Sequence, residues 1–411
     1  MIRWIIFILI VVVLDYYAFQ AFRALVKGNI WSIIYWLFTI GVIGNFIFQI
    51  FSFDRSNGIP FRFSLAFTFI VLIYVPKIII GLTLLGEDIF RLFSFLNSNY
   101  IKSSNIEKVA FSGRRKFVSQ IALGLAAIPF ASILYGIYRG KYNFKVLNYT
   151  LHFEDLPDAF DGYKLTQISD VHSGSFDNID KVDYAIDLIN QQQSDVILFT
   201  GDMVNNKATE MVPYIDIFKK LKAKDGLYSV LGNHDYGDYI NWNSDEDKRQ
   251  NLEDLKTLQK DIGFDLLLNE NRFIEKEGQR IALVGVENWG KGGFKKAGDL
   301  KKASASIDQD DFKILMSHDP SHWDEEVVKD SYHYHLTLSG HTHGMQFGIE
   351  IPGWFKWSPV KWRYKHWAGI YEELGQYINV NRGFGYLAFP GRVGIWPEIT
   401  VIELKKGKKE A

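Results

Sequence analysis

Two stretches of this chain carry no charge at all, one between Lys27 and Asp54 and the other between Lys116 and Arg139. Each is longer than the ~20 residues that an α-helix needs to cross ~30 Å of hydrocarbon. In a bilayer every backbone polar group must be satisfied within the segment, so only helices can cross there singly. Two more apolar stretches, about Trp4–Ala21 and Phe63–Gly86, carry one charge each, Asp15 and Lys77. Residues 1–147 therefore predict a bundle of about four transmembrane helices, near 4–21, 30–53, 63–86 and 117–138, and a linker. Four buried core helices of this length in series would be unusual in a soluble domain. Pro76 should kink the third helix, because it cannot donate to the helical ladder.

A charge inside a spanning helix is expensive and normally finds a partner. Asp15 and Lys77 pair with each other, or Lys77 snorkels to the interface, or the two belong to a proton or ion path; only the last reading would make the helices themselves a transporter or sensor. Orientation follows the basic residues. Arg91, Lys102, Lys108, Arg114, Arg115 and Lys116 precede helix four, and Arg23 and Lys27 lie between helices one and two, against Arg3, Arg55 and Arg62 and, after helix four, Arg139, Lys141 and Lys145 on the opposite side. The denser cluster belongs in the cytoplasm, which places the rest of the chain on the extracytoplasmic side. Arg114-Arg115-Lys116-Phe117-Val118 also resembles a twin-arginine export signal, although it is internal; its bland reading is a basic helix anchor.

Residues 148–411 read as one ordinary α/β domain. Amphipathic stripes (Val182, Ile186, Ile189; Met211, Ile215, Phe218; Leu252, Leu255, Ile262) alternate with apolar strand-like runs. Phe264–Leu268 and Ile281–Val286, flanking the Lys276-Glu277-Gly278 turn, read as a hairpin. Tyr377–Val380 and Glu398–Leu404 read as strands without intervening helices, so the sheets should be mixed. The formal net charge is −1, so no global field recruits nucleic acid and no nucleic-acid partner is expected. With no cysteine, disulfides and thiolate metal ligands are excluded.

The chemistry lies in five short motifs: Asp170-Val171-His172, Gly201-Asp202, Gly232-Asn233-His234-Asp235, His318, and Gly340-His341-Thr342-His343. Most of them follow apolar runs (Lys164–Ser169, Val196–Thr200, Tyr228–Leu231, Phe312–Ser317, Leu336–Ser339) that read as buried strands. Any one motif is weak, since Gly-Asp is a common turn pair. Together they place Asp, Asn and His side chains at strand ends, where they can converge. Mixed carboxylate, amide and imidazole ligands suit borderline divalent ions such as Mn²⁺, Fe²⁺ or Zn²⁺ better than Ca²⁺. In Asp-x-His and His-x-His, strand alternation would turn residues i and i+2 to the same side.

The order and content of these motifs resemble those of the calcineurin-like metallophosphoesterases. Asn381-Arg382-Gly383-Phe384-Gly385 and the Arg392–Thr400 tail resemble the family's membrane-associated bacterial phosphodiesterase branch. That branch usually has Gly-Gly after its G-H-T-H, whereas this chain has Gly344-Met345. The resemblance implies a four-layer αββα sandwich with metals at the strand ends. It implies two divalent ions, one held by Asp170, His172, Asp202 and His343, the other by Asp202, Asn233, His318 and His341. Asp202 would bridge, giving one oxygen to each cation ~3.5–4 Å apart. His234 would contact the phosphoryl oxygen or protonate the leaving group, and Asp235 would hold its ring and raise its pKa. The implied reaction is hydrolysis of a phosphodiester or pyrophosphate by a metal-bridging hydroxide. A nuclease is the main rival within enzymes, but no basic stripe that could follow a phosphate backbone adjoins the motifs.

The segment after the last motif interleaves Trp354, Phe355, Trp357, Trp362, Tyr364 and Trp367 with Lys356, Lys361, Arg363, Lys365 and His366. Such aromatics can cover the core, stack on bases, or lie in a lipid headgroup zone beside anionic lipid. With the domain tethered through a short linker, the third reading points to a lipid-linked or membrane-proximal substrate and to the bilayer as partner.

Overall fold

The computed structural model describes residues 2–54, 56, 58–100, 112–351 and 353–408. Arg55, Lys102 and Lys108 of the orientation count lie outside the described residues. The chain divides into two compact units, one holding the long helices up to Tyr135 and the other containing everything from Gly136 onward.

The first unit consists of α1 (Ile2–Leu25), α2 (Asn29–Phe51), α3 (Phe61–Tyr100) and α4 (Ser112–Tyr138). All four helices are long and apolar enough to cross a membrane. α3 outruns the expected 63–86 span and stays helical through Pro76. Small residues (Ala18, Ala21, Ala122, Ala126) with Ile80 and Leu84 form the unit's core, as expected where helices must approach closely without a hydrophobic drive. Asp15 and Lys77 pair at 2.5 Å. Tyr74 Oη donates to Asp15 at 3.0 Å, and Lys77 Nζ also donates to Thr39 Oγ1 at 3.1 Å. The expected Asp15–Lys77 pair is thus present. Arg115 of the twin arginine is engaged by Glu87 and Asp88.

The second unit is built on two six-stranded mixed sheets. The first contains β1 (Lys145–Phe153), β2 (Lys164–Ile168), β3 (Val196–Phe199), β4 (Leu227–Ser229), β5 (Phe264–Leu266) and, from the C-terminus, β14 (Glu398–Lys406), in the order β1-β14-β2-β3-β4-β5. The second contains β6 (Glu270–Lys276), β7 (Gln279–Gly285), β8 (Phe312–Met316), β9 (Leu336–Ser339), β12 (Gly369–Glu373) and β13 (Gln376–Val380), in the order β12-β13-β9-β8-β7-β6. A separate two-stranded hairpin is made by β10 (Ile349–Ile351) and β11 (Phe355–Trp357). Helices α5 (Ile179–Asn190), α6 (Ile215–Phe218) and α7 (Asp245–Ile262) cover one face of the first sheet, and α8 (Leu300–Ala303) and α9 (Ser321–Glu325) that of the second. The layers are thus αββα. Leu165, Leu198, Leu283, Ile314, Leu336 and Ile402 pack between the sheets. The buried Gln167 bonds across that core, donating to Ser339 O at 2.9 Å and accepting from Asn379 at 2.7 Å.

Two expectations need correction. Phe264–Leu268 is not an arm of the hairpin, because β5 instead pairs parallel with β4. The arm is Glu270–Lys276, antiparallel to β7. It is an edge strand with one wetted face, so its polar composition concealed it. The expected boundary between Leu147 and Asn148 falls inside β1, whose register with β14 begins at Lys145.

The end of α4 is built into the second unit. A Cβ on Gly136 or Gly140 would stand 2.5 Å from the Arg392 carbonyl oxygen. By contrast, a Cβ on Gly124 of the same helix meets nothing within 4 Å. Gly136→Val should therefore destabilise the full-length protein by about 1–3 kcal/mol through overpacking, while Gly124→Val should leave its thermal midpoint in detergent unchanged. Equal midpoints for the two variants would remove the steric argument.

Candidate metal centre

All five motifs begin where a central strand stops. β2, β3 and β4 deliver Asp170/His172, Asp202 and Asn233/His234, and β8 and β9 of the facing sheet deliver His318 and His341/His343. The donors meet in two groups, Asp170–His172–His343 and Asp202–His318–His341, each with its donor atoms within 4.8 Å of one another. Asn233 joins the second group, its Oδ1 lying 2.7 Å from His341 Nδ1. The seven residues that the sequence singled out as ligands are thus brought together.

The local geometry differs from the expected strand alternation. Asp170, His172, Asp202, His341 and His343 all have positive φ, from 47° to 71°. They lie past the strand ends, and left-handed turns rather than the pleat aim their side chains. Each such residue costs on the order of 1 kcal/mol, a strain that clusters at functional sites. The motif glycines follow from crowding. A Cβ on Gly232 would strike Asp202 Oδ1, and one on Gly340 would strike Asp170 Oδ2. Met345, where the related branch has glycine, also takes a left-handed φ of 52° and lines the pocket.

Asp202 links the groups through a single oxygen. Oδ2 lies 3.1 Å from His318 Nε2 and 3.6 Å from His172 Nε2. Oδ1 is taken by the His234 backbone N–H at 2.8 Å. One oxygen per cation, as expected from the sequence, is therefore not what the geometry offers. His172 Nε2 faces His343 Nε2 at 3.0 Å, and His318 Nε2 faces His341 Nδ1 at 3.3 Å. Ligands sharing one cation at about 2.1 Å stand roughly 3.0–3.4 Å apart, so the donor set fits divalent ions.

The remaining ring nitrogens are anchored. His318 Nδ1 bonds the Thr200 carbonyl at 2.7 Å, His172 Nδ1 bonds Asn205 Oδ1 at 3.1 Å, and His341 Nε2 bonds Tyr364 Oη at 2.8 Å. Such outer partners fix the tautomer and leave the other nitrogen for a metal. Burial holds His172 well below its ordinary pKa and pulls His341 down to about 4. Both are then neutral, the form that binds metal. Burial also penalises the His318 imidazolium, but the Asp202 carboxylate outweighs it and pushes His318 up to about 10.

Asp235 does not play its expected part. The His234 ring is held by the Asn205 carbonyl, 2.8 Å from Nδ1, and burial lowers the pKa of His234. The buried Asp235 carboxylate instead accepts the backbone N–H groups of Asp202, Met203, Val204 and Gly232. It ties the second motif to the third. Sequence reasoning missed Asn205, which orients two histidines, and Tyr239, whose Oη accepts from Asn233 Nδ2 at 2.7 Å and so turns the amide oxygen inward. It also missed the role of Arg392, a buried guanidinium that bonds the Gly383 and Gly385 carbonyls and lies 3.1 Å from His343 Nδ1. Asn205 lies three residues past Asp202, but nothing in its type marks that role.

A pocket of about 360 Å³ opens over the two groups. His172, Asp202, Asn233, His234, His341 and His343 line its polar side, and Phe294, Met345, Pro359, Val360, Trp362 and Leu387 line its apolar side. Arg363 also lines it, 5.1 Å from the Phe294 ring. The aromatic segment is split. Tyr364 and Trp367 are core, with Val360 and Ile395, whereas Trp354 and Trp362 are 81% and 76% exposed. His366 is buried against Asp324, and Lys365 pairs with Glu373.

A paired-sheet sandwich with two such donor groups at its strand ends is the architecture of a metallophosphoesterase domain. Residues 163–345 match the calcineurin-like phosphoesterase family, and residues 2–141 match a probable calcineurin-like phosphoesterase transmembrane domain. An uncharacterized metallophosphoesterase of Bacillus subtilis, YkuE, is 30% identical over 274 residues, covering 66% of this chain and 89% of that protein. A transmembrane protein with metallophosphoesterase domain from Danio rerio is 25% identical over 393 residues, 93% of this chain and 82% of that protein. This chain belongs to the calcineurin-like metallophosphoesterases and is a membrane protein.

Asp235→Asn should lower stability by about 1–3 kcal/mol, because an NH₂ group would face backbone donors that now have a carboxylate. Chemical denaturation of the full-length protein measures this. A variant as stable as the parent would show that Asp235 is not the tie between the two loops.

Proposed function

We propose that this protein is a membrane-anchored phosphoesterase that hydrolyses a phosphodiester or pyrophosphate bond of a lipid-linked or membrane-proximal substrate. The observation that carries the reading is the pair of donor groups joined at Asp202 Oδ2. Asp170, His172, Asp202 and His343 would hold one divalent ion (Mn, Fe or Zn), and Asp202, Asn233, His318 and His341 the other. Bound there, two such ions supply Lewis-acid stabilisation of phosphoryl oxygens and lower the pKa of water towards neutrality.

The chain's own residues do the rest. His234 lines the pocket and belongs to neither donor group. With Nδ1 committed to the Asn205 carbonyl, its Nε2 is the atom available to a phosphoryl or leaving-group oxygen. Asn205 orients it and His172 together. Tyr364 and Tyr239 keep His341 and Asn233 aimed at one point. The apolar lining of the pocket suits the non-polar part of an amphiphile, and Arg363 suits a further anionic group. The extracytoplasmic side is our reading for this unit, from the basic residues ahead of α4. Protease protection at sites after Arg139 checks it, and cleavage from the cytoplasmic face would reverse it.

Turnover by the full-length protein with Mn²⁺ across nucleotide, lipid and small chromogenic diesters tests the substrate class; lipid-linked esters should be preferred. Asp202→Asn should cost more activity than any other ligand change and reduce metal content. His234→Asn should keep both metals and lose rate by roughly 10²–10⁴-fold. Metal loss in the His234 variant, or two metals and full rate in the Asp202 variant, would contradict the assignment.

A further inference from the structure

We propose that the β10–β11 hairpin inserts into the headgroup zone of a lipid bilayer and seats the mouth of the metal pocket there. Successive residues of a strand point to opposite faces. The register pairs Ile349 with Trp357, Glu350 with Lys356, and Ile351 with Phe355. One face is therefore wholly apolar and the other wholly charged. On a strand bathed by water the charged face turns outward. In this hairpin the half-buried Glu350 turns inward, and Lys356, although exposed, folds its ammonium back onto the domain. Glu350 receives Arg382 at 3.0 and 2.5 Å. Arg382 is itself buried and bonded to Glu398 at 2.5 Å. Lys356 Nζ donates to the Ala368 carbonyl at 2.5 Å and lies 4.3 Å from the Tyr371 ring.

The inversion is pinned. An isolated two-stranded hairpin is marginal in water, and the Glu350–Arg382–Glu398 chain anchors this one to β14. The apolar face is left outside: Ile349, Ile351 and Phe355 are 56%, 45% and 47% exposed, and Trp354 projects at the turn. Trp357 packs edge-on against the exposed Trp362. A contiguous apolar patch of this kind marks an interaction surface. Tryptophan at the patch, with Lys361 and Arg363 exposed beside it, matches the composition of an anionic bilayer interface. The same chain carries four membrane-crossing helices, so a bilayer is the apolar partner at hand.

The consequence for the site follows from chain continuity. β11 runs through Ser358 into Pro359, Val360 and Trp362, which wall the pocket, and then into Tyr364, which bonds His341. The segment that enters the lipid is the one that frames the metal ligands. A lipid phosphoester could reach the site without leaving the headgroup layer. This last step rests on the lipid-substrate reading above, whereas insertion itself does not.

The chain has no cysteine, so single reporters can be placed in the full-length protein. Trp354→Cys, and Leu374→Cys at the equally exposed β12–β13 turn, would each carry an environment-sensitive NBD label. Both variants would be placed in nanodiscs containing anionic lipid and a lipid with a nitroxide at a shallow acyl position. The label at 354 should lose most of its fluorescence to the nitroxide, and the label at 374 should lose little. A label at 354 that is no more quenched than the one at 374 overturns the proposal. So does one that is dry but unquenched, which would mean that protein covers the hairpin. Turnover of a small chromogenic diester by the labelled variants reports separately on the hydrolase reading.

Discussion

Inside the second unit, histidine ring nitrogens face one another at the floor of the pocket: His172 against His343 at 3.0 Å, and His318 against His341 at 3.3 Å. Lone pairs so placed repel unless a proton or a cation stands between them. Much of the surrounding structure holds them there. Thr200, Asn205 and Tyr364 anchor the far nitrogens of three of the rings. Five left-handed backbone positions aim the side chains. Asp235 gathers four N–H groups from the two loops that carry Asp202 and Asn233. The polar contacts across the sandwich, such as that of Gln167 with Ser339 and Asn379, keep the two sheets in the register that brings their donors together.

Much of this was legible in the sequence. Period-two and apolar runs marked the central strands to within one or two residues, because buried parallel strands are nearly continuous apolar segments. The seven candidate ligand residues were legible because their motifs, each at the end of an apolar run, match the order of a known family, and the structure brings them together. The polar arm Glu270–Lys276 was not, since an edge strand with a wet face reads as a loop. Nor was the role of Asp235. Its neighbour in sequence is His234, but its carboxylate turns to backbone N–H groups that only the folded loops bring near. Asn205 and Arg392 were hidden for the same reason, since each acts on residues distant in the chain.

The aromatic segment shows the limit most clearly. Composition alone left core, base-stacking and interfacial readings open, and the structure divides the residues between core and surface. Tyr364 and Trp367 are buried in a small cluster with Val360, Ala368 and Ile395, while the hairpin turns Trp354, Phe355 and its two isoleucines outward. What sends them out is the anchoring of the half-buried Glu350 on Arg382, a pairing across more than thirty residues that no local pattern reveals.

The central claim is that these donors hold two adjacent cations joined by Asp202. Anomalous diffraction from Mn²⁺-loaded crystals of the full-length protein tests it most directly. The account predicts two anomalous peaks ~3.5–4 Å apart, one among Asp170, His172 and His343 and the other among Asn233, His318 and His341, with Asp202 touching both. A single peak, or peaks outside these residues, would contradict it.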